Sequence, residues 1–238
     1  MIEVKNLEKI YRNDAVETPA LQGVSFNIEP GEFVAIMGPS GSGKSTLMHI
    51  MCFLDRPSSG IYKFEGKGID DLTDDELARI RNKRMGFVFQ TYNLLPRTTV
   101  FNNVRLPLIY SGLRKEVEQN LVKEAIEAVG LSHRINFFPN QLSGGEQQRA
   151  AIARALVNNP SVIFADEPTG NLDSKSGKII MTLLQELNDK GHTIVLVTHE
   201  KYTSEHAKRI IQLLDGKMVS DEKVAHRLYA RDEKELIK

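Results

Sequence analysis

The residues best suited to chemistry form a glycine-rich segment early in the chain, GPSGSGKST at 38–46. It fits the pattern G-x-x-x-x-G-K-[ST], in which consecutive backbone N–H groups approach phosphate oxygens and glycine leaves room for that approach. A helical pattern follows the segment, and the dipole of a helix N-terminus also favours an anion. We predict a nucleotide phosphate site in which Lys44 contacts the β- and γ-phosphates and Ser45 contacts Mg²⁺. The predicted binding residues are Gly38, Pro39, Ser40, Gly41, Ser42, Gly43, Lys44, Ser45 and Thr46.

Two carboxylates end the apolar run SVIFADE at 161–167. Asp166 is placed to hold Mg²⁺ directly or through water, as in other P-loop NTPases. Glu167, at the strand tip, can polarise an attacking water as a general base. Taken alone the pair also fits a simple acidic turn, and the phosphate-binding pattern favours the catalytic interpretation. His199 ends another apolar run and can bond a γ-phosphate, although a lone histidine after a strand is more often structural.

Hydrophobic patterning indicates an α/β fold around a parallel sheet. Alternating or mixed apolar segments at 2–7, 21–28 and 61–66 are typical of an antiparallel sheet with one exposed face. Helical spacing separates several longer apolar runs, and strands that alternate with helices imply a parallel sheet. The runs typical of strands buried on both faces are at 32–38, 86–90, 161–167, 193–199 and 209–215.

The pattern also divides the chain. No buried strand is predicted from 91 to 140, so we expect a helical subdomain, at about 91–150, inserted into an α/β domain that spans 1–219. Residues 220–238 are charged with scattered apolar positions, and we expect a surface tail with a short helix.

Composition restricts the functional class. Lys and Arg number 31, as do Asp and Glu, so a zero net charge gives no broad attraction to nucleic acid or anionic lipid. The single cysteine, Cys52, rules out an internal disulfide and lies in an apolar stretch, where a buried core residue is expected. No secretory signal is recognisable, and no run reaches the roughly 18 apolar residues of a membrane-spanning helix. We therefore expect a soluble, cytoplasmic protein.

A segment at 142–156, LSGGEQQRAAIARAL, separates this chain from the many other enzymes with a phosphate-binding loop. Its first five residues, LSGGE, resemble the signature motif of ABC ATPases. A serine and two glycines before a helical pattern form a second N-terminal anion site. One nucleotide per chain does not need two phosphate sites, whereas a head-to-tail dimer does, because each signature completes the site begun by the other subunit. The predicted residues of this second site are Ser143, Gly144, Gly145 and Glu146.

This resemblance implies a P-loop NTPase core of the RecA-like type, with ATP and Mg²⁺ as ligands. Gln90 matches the family's Q-loop glutamine, which contacts Mg²⁺ or water and connects the site to the membrane subunit. Asp173 matches the D-loop aspartate, although Asn171 stands where a small residue is usual. Tyr11 matches the aromatic residue that stacks on adenine; an aromatic residue at a strand end also often only packs.

Finer resemblance is to the macrolide-exporter and lipoprotein-releasing class. It rests on MGPSGSGKST, on FVFQ followed by NLLP, on PNQLSGGEQQR and on ADEPTGNLD. Some members of that class export a substrate, and others use ATP to move an extracytoplasmic domain. The resemblance implies an ATP-induced homodimer at the inner face of the cell membrane, a separate transmembrane permease and, in an export system, a periplasmic or extracellular adaptor.

Two functions of other classes remain open. A soluble ABC ATPase acting on ribosomes or DNA usually has two cassettes or a long coiled-coil insertion, and neither is present in this sequence. A P-loop kinase would not need the segment at 142–146. We therefore expect no nucleic-acid partner.

The stretch that follows Gln90, at 91–110, is rich in apolar and aromatic residues. Most of them are expected to pack into the helical subdomain, but Pro96 and Pro107 limit regular helix there. Apolar residues on an exposed loop suit a docking groove for a short permease helix. Leu95 and Tyr92 are the first candidates for exposure.

Overall fold

The computed structural model describes residues 1–13 and 16–236, which form two β-sheets with surrounding helices. The strands are β1 (Ile2–Asn13), β2 (Val16–Ile28), β3 (Phe33–Met37), β4 (Ser59–Phe64), β5 (Lys67–Gly68), β6 (Met85–Val88), β7 (Val162–Asp166), β8 (Thr193–Thr198), β9 (Arg209–Leu214) and β10 (Lys217–Lys223). The helices are α1 (Lys44–Met51), α2 (Asp74–Arg84), α3 (Val100–Arg105), α4 (Lys115–Ala128), α5 (Gly144–Leu156), α6 (Ser174–Asp189) and α7 (Lys201–Ser204). Within these described ranges no helix is long and apolar enough to cross a membrane.

The larger sheet has the strand order β10-β9-β3-β8-β7-β6. Its pairings are parallel except that of β10 with β9, which confirms the predicted parallel core. Both faces of β3 are buried: Val34 and Ile36 pack in one hydrophobic cluster, and Phe33 and Ala35 pack in the other. Parallel strands end at a common edge, where ligands bind in such sheets. The segments that follow β3, β6, β7 and β8 therefore meet at one edge.

The smaller sheet is antiparallel, as predicted, with the order β2-β1-β4-β5. Its inner face covers one face of the parallel sheet. Ile2, Leu7 and Leu21 are fully buried there and share a hydrophobic cluster with Leu47 of α1. Burying an aliphatic side chain of this size contributes about 1.5–3 kcal/mol, so the contact holds the helix that follows the phosphate-binding segment.

Helices α3 and α4 lie within the region predicted as a helical subdomain, α5 begins in it and continues to Leu156, and no strand occurs from 91 to 143. On α4 the residues Val122, Ala125 and Ile126 are buried. Asn103, fully buried on α3, accepts a hydrogen bond from Leu95 N–H at 2.7 Å and donates to the Leu95 carbonyl at 3.2 Å. One amide thereby fixes the loop that follows Gln90.

The expectation of a surface tail with a short helix after residue 219 holds only in part, since Ala230–Asp232 forms one turn of 3₁₀ helix but a strand precedes it. Strand β10 covers 217–223, because Asp215 and Gly216, both with positive φ, form a two-residue hairpin turn after β9. Further on, Leu236 is fully buried, and its N–H donates to the Ser174 carbonyl at 3.1 Å. The tail thus pairs with β9 at its beginning, and at Leu236 it contacts the start of α6. Residues 237–238 lie outside the described residues.

Strand β5 and helix α2 are also absent from the sequence predictions. Strand β5 follows a second two-residue turn, formed by Glu65 and Gly66 with φ of 50° and 81°. Helix α2 begins after Thr73, whose hydroxyl and backbone N–H exchange hydrogen bonds with Glu76 in a capping box.

Candidate functional site

The phosphate-binding segment connects β3 to α1. Gly43 has a φ of 97° at the N-terminus of α1, and a Cβ there would lie 2.4 Å from the Ala20 carbonyl oxygen. A Cβ on Gly38 would lie 2.3 Å from the Leu213 carbonyl oxygen. Both glycines are therefore required by packing as well as by the turn. Ser42 is buried under the loop, so it supports the loop from the protein side.

Lys44 closes the loop on itself. Its Nζ donates to the carbonyl oxygens of Gly38 and Pro39, each at 2.8 Å. Burial lowers the pKa of Lys44, while the nearby Glu167 and Asp166 carboxylates act in the opposite direction. The ammonium group is thus held at the loop, within electrostatic reach of the two acids at the end of β7, which is separated from β3 by β8.

Asp166 and Glu167 occupy different environments at the end of β7. Burial, followed by repulsion from the Glu167 carboxylate, raises the pKa of Asp166. Glu167 has a φ of 45°, an uncommon conformation for a residue with a side chain, and its N–H donates to the Val197 carbonyl at 2.9 Å. Strain of this kind is concentrated at functional sites. The turn brings the Glu167 carboxylate to Thr198 at the end of β8.

Glu167 is held by the segment after β8. Its Oε1 accepts from the His199 N–H at 3.0 Å and lies 2.6 Å from His199 Nδ1. Its Oε2 accepts from the Thr198 hydroxyl at 3.3 Å. Because a carboxylate only accepts, the short contact assigns a proton to Nδ1. The pairing of Glu167 with His199 is absent from the sequence predictions, which assign His199 only to the γ-phosphate.

The predicted catalytic residues surround one cavity of about 690 Å³ at the carboxyl edge of the parallel sheet. Five separate segments meet there, and the nine-residue loop contributes all its members except Gly38 and Ser42. The lining residues are Ala20, Pro39, Ser40, Gly41, Gly43, Lys44, Ser45, Thr46, Gln90, Asp166, Glu167 and His199. The hydroxyl of Ser45, the amide of Gln90 and the carboxylate of Asp166 supply oxygen donors, the kind that Mg²⁺ prefers. The donor set therefore fits the predicted metal.

The signature residues are not among those that line this cavity. Ser143 caps α5: its hydroxyl accepts from the Glu146 N–H at 3.3 Å, and Glu146 accepts from the Ser143 N–H at 2.9 Å. Arg134 holds Glu146 in an ion pair at 3.0 Å. Gly144 and Gly145 let other segments approach the first turn closely, since a Cβ on Gly144 would lie 2.9 Å from the Tyr92 hydroxyl and one on Gly145 would lie 2.9 Å from Ser176 Oγ. The segment is a preformed helix N-terminus on another surface of the same chain.

Two more residues of the predicted ATP site also lie outside the cavity lining. Asp173 caps α6, accepting from the N–H groups of Lys175 and Ser176 at 3.0 Å each. Tyr11 is 40% exposed on β1, and its hydroxyl donates to Asp55 at 2.9 Å. Lys9 Nζ lies 4.9 Å from the centre of the Tyr11 ring. The ring is therefore held in place without being buried.

An apolar groove of about 530 Å³ lies beside the stretch after Gln90, between α2, β6 and the helical subdomain. Its lining includes Leu54, Phe87, Phe89, Leu106, Pro107 and Tyr110. Tyr110 is 90% exposed and Leu54 is 56% exposed, so large apolar groups stand open to solvent at its rim.

The prediction that Tyr92 is an exposed docking residue is wrong. Its ring packs against the main hydrophobic cluster, because the backbone reverses at Tyr92 and Asn93 (φ of 60° and 50°) and Arg154 donates to both carbonyls. Leu95 is 46% exposed, as predicted, but does not line the groove.

Comparison with known proteins gives consistent matches. A family profile described as ABC transporter matches residues 21–170. Over 226 residues the chain is 53% identical to the macrolide export ATP-binding/permease protein MacB of Bdellovibrio bacteriovorus, covering 94% of this chain and 34% of that protein. It therefore spans about a third of the length of this relative. An uncharacterized ABC transporter ATP-binding protein of Methanocaldococcus jannaschii is 49% identical over 92% of this chain and 98% of its own length.

Two solved structures of a similar protein have the same fold as this chain. The ATP-binding cassette MJ0796, in a dimeric post-hydrolysis state bound to ADP and Pi, superposes with a TM-score of 0.86 at 46% identity, covering 95% of this chain and all of that one. A second dimeric structure of the same cassette gives a TM-score of 0.86 at 47% identity, with the same coverage.

Proposed function

The chain belongs to the ABC transporter family, and from that premise we propose that it is an ATP-hydrolysing subunit that dimerises head-to-tail and drives a separate transmembrane permease. One observation carries this proposal. The phosphate loop, both acids, Gln90 and His199 line one cavity, while the signature segment lies on another surface. A chain with one half-site on each of two surfaces is suited to pairing with a second copy.

Six residues of the cavity receive a role in ATP hydrolysis. When ATP binds, the Lys44 ammonium group gives up its hydrogen bonds to the two loop carbonyls and bonds the β- and γ-phosphate oxygens instead. Ser45, Asp166 and Gln90 would hold Mg²⁺, which would supply positive charge to neutralise the phosphate oxygens. Glu167 accepts a proton from the attacking water. Because Glu167 is anchored to β8 through His199 and Thr198, its carboxylate is oriented before the nucleotide arrives.

In this proposal His199 contacts both the general base, Glu167, and the γ-phosphate. Nδ1 donates to Glu167, so a bond to the γ-phosphate requires a second proton on Nε2. A doubly protonated ring would bridge the general base and the phosphate. Loss of the γ-phosphate would then leave Glu167 as the remaining partner of the ring.

The second half of each ATP site comes from the partner subunit. Ser143, Gly144 and Gly145 offer a capped helix N-terminus to the γ-phosphate of the opposite loop. Glu146 is occupied by Arg134 and by the cap, so we assign it to the shape of this turn. Asp173 is assigned to the dimer interface, and Tyr11 to adenine stacking.

The permease partner is assigned to the apolar groove. An exposed groove with Leu54 and Tyr110 at its rim suits the apolar face of a short helix. Phe89, which lines this groove, immediately precedes Gln90, which lines the ATP cavity. Docking would place the subunit peripherally on the inner face of the membrane. Export, with an extracytoplasmic adaptor, and mechanical transmission to an extracytoplasmic domain both use this arrangement.

The composite site is tested by mixing two inactive subunits. Lys44→Ala removes one half-site and Ser143→Arg blocks the other, so each homodimer should have little ATPase activity. A mixed dimer retains one intact composite site, and mixing should restore activity that rises toward an equimolar ratio. Cross-linking confirms that mixed dimers form. If cross-linked mixed dimers recover no activity, a single composite site made from two chains is not sufficient for hydrolysis, and the proposal is refuted in this form.

A further inference from the structure

We propose that Asn171 is the positioning residue that orients Gln90 toward the metal site. The inference rests on the proposed function, because it concerns the role that Gln90 takes in holding Mg²⁺. Asn171 directly precedes Leu172 in the segment that follows β7. Its side chain reaches a residue 81 positions away in sequence.

Gln90 needs such a partner because the two ends of its amide differ chemically. Only the oxygen can bind Mg²⁺, whereas the NH₂ group only donates hydrogen bonds. Gln90 follows β6 and lines the ATP cavity with Asp166 and Glu167. An amide free to turn over would present the wrong end to the metal in part of the molecules. A fixed orientation requires an acceptor for the NH₂ group on the side away from the metal.

Asn171 supplies that acceptor. Its Nδ2 donates to the Gln90 backbone carbonyl at 3.0 Å, and this bond fixes which end of the Asn171 amide carries oxygen. Asn171 Oδ1 then accepts from Gln90 Nε2 at 3.5 Å. Gly170 makes the approach possible, since a Cβ there would lie 2.7 Å from Gln90 Nε2. With its NH₂ group directed at Asn171, Gln90 has its oxygen left for the cavity.

A second amide holds the backbone of the same two segments. Gln148, fully buried on α5, donates to the Pro168 carbonyl at 2.8 Å and to the Phe89 carbonyl at 3.3 Å. The main chain around Gln90 is therefore restrained without Asn171. Asn171 is exposed, so its removal should release the Gln90 side chain while the fold remains. The two amides separate positioning of the side chain from positioning of the backbone.

The test measures metal binding in the full chain, with Mn²⁺ as the probe and a non-hydrolysable ATP analogue present. Free Mn²⁺ is counted by electron paramagnetic resonance for the wild type, Asn171→Ala, Gln90→Ala and the double variant. We expect Asn171→Ala to weaken Mn²⁺ binding about two- to tenfold, the factor of one ordinary hydrogen bond. Nucleotide affinity in EDTA and the unfolding midpoint should stay at the wild-type values. In the Gln90→Ala background the same substitution should have no further effect.

Three results would overturn the inference. If Asn171→Ala binds Mn²⁺ with wild-type affinity, Asn171 does not position Gln90. An equal loss in the Gln90→Ala background shows that Asn171 does not act through Gln90, and a large drop in the unfolding midpoint shows a structural role. In these three cases the wild type still binds the metal and nucleotide and hydrolyses ATP, so the proposed function stands. A wild type that binds no nucleotide overturns both.

Discussion

Replacing Glu167 by glutamine tests the assignment of the general base with little change in shape. In the glutamine variant the side-chain oxygen can still accept from the His199 N–H, which donates at 3.0 Å in the wild type. The new NH₂ group faces the Thr198 hydroxyl, which can rotate to accept. At most one hydrogen bond is lost, and the expected loss of stability is about 1 kcal/mol.

The expected loss of rate is much larger. A glutamine cannot take a proton from water, and general-base assistance is worth about 10²–10⁴ in rate, or roughly 3–5.5 kcal/mol of barrier. We therefore expect steady-state ATPase activity to fall by about that factor. The unfolding midpoint and the affinity for Mg²⁺ and ATP should stay near the wild type. With hydrolysis blocked, size-exclusion chromatography with ATP should show accumulated dimer.

The outcome that refutes this reasoning is a turnover within about threefold of the wild type, because a general base cannot be removed at so small a cost. A matched control is Glu186→Gln, the same chemical change on α6 at a residue that lines a different surface cleft. The control should retain wild-type turnover. If both variants lose activity equally, the loss does not come from the base.

Two more predictions concern charge and docking. Burial and the Glu167 carboxylate raise the pKa of Asp166 in the folded protein. Protonated Asp166 therefore contributes its full stabilisation when the pH is below the pKa of the unfolded chain, about 4, and this stabilisation is lost as the pH rises through the pKa of the folded protein. Without nucleotide at pH 7, Asp166→Asn should therefore have a higher unfolding midpoint than the wild type, and the difference should shrink toward pH 4. A lower midpoint at pH 7 by calorimetry would contradict the raised pKa of Asp166. Charged substitutions at Leu54 and Tyr110 should abolish co-purification with the permease and leave the ATPase activity of the isolated subunit intact, whereas Val219→Glu, at a 52% exposed position on β10, should not affect co-purification. Retained co-purification of both groove variants would place the permease elsewhere.

Local signals in the sequence were sufficient for the parts of the site that are contiguous in the chain. The phosphate loop, the acidic pair and the signature cap are each formed by about ten consecutive residues or fewer. Each is a local structure (a turn, the end of a strand or the start of a helix), so neighbouring residues are enough to predict it. The buried strands were also predictable, because continuous apolar runs are required when both faces of a strand are covered. The hairpin turns at Glu65-Gly66 and Asp215-Gly216 are equally local, and their strands β5 and β10 were predictable on the same grounds.

Contacts between distant segments were decided by the tertiary structure alone. His199 meets Glu167 because β8 lies beside β7, and Asn171 meets Gln90 because β7 lies beside β6. Hydropathy predicts which face of a strand is buried but not which strand is its neighbour. The same reason applies to the apolar groove, whose lining residues are drawn from positions 54 to 158, and to the burial of Leu236. The sequence by itself determined which groups are available for chemistry, and strand order determined which of them touch.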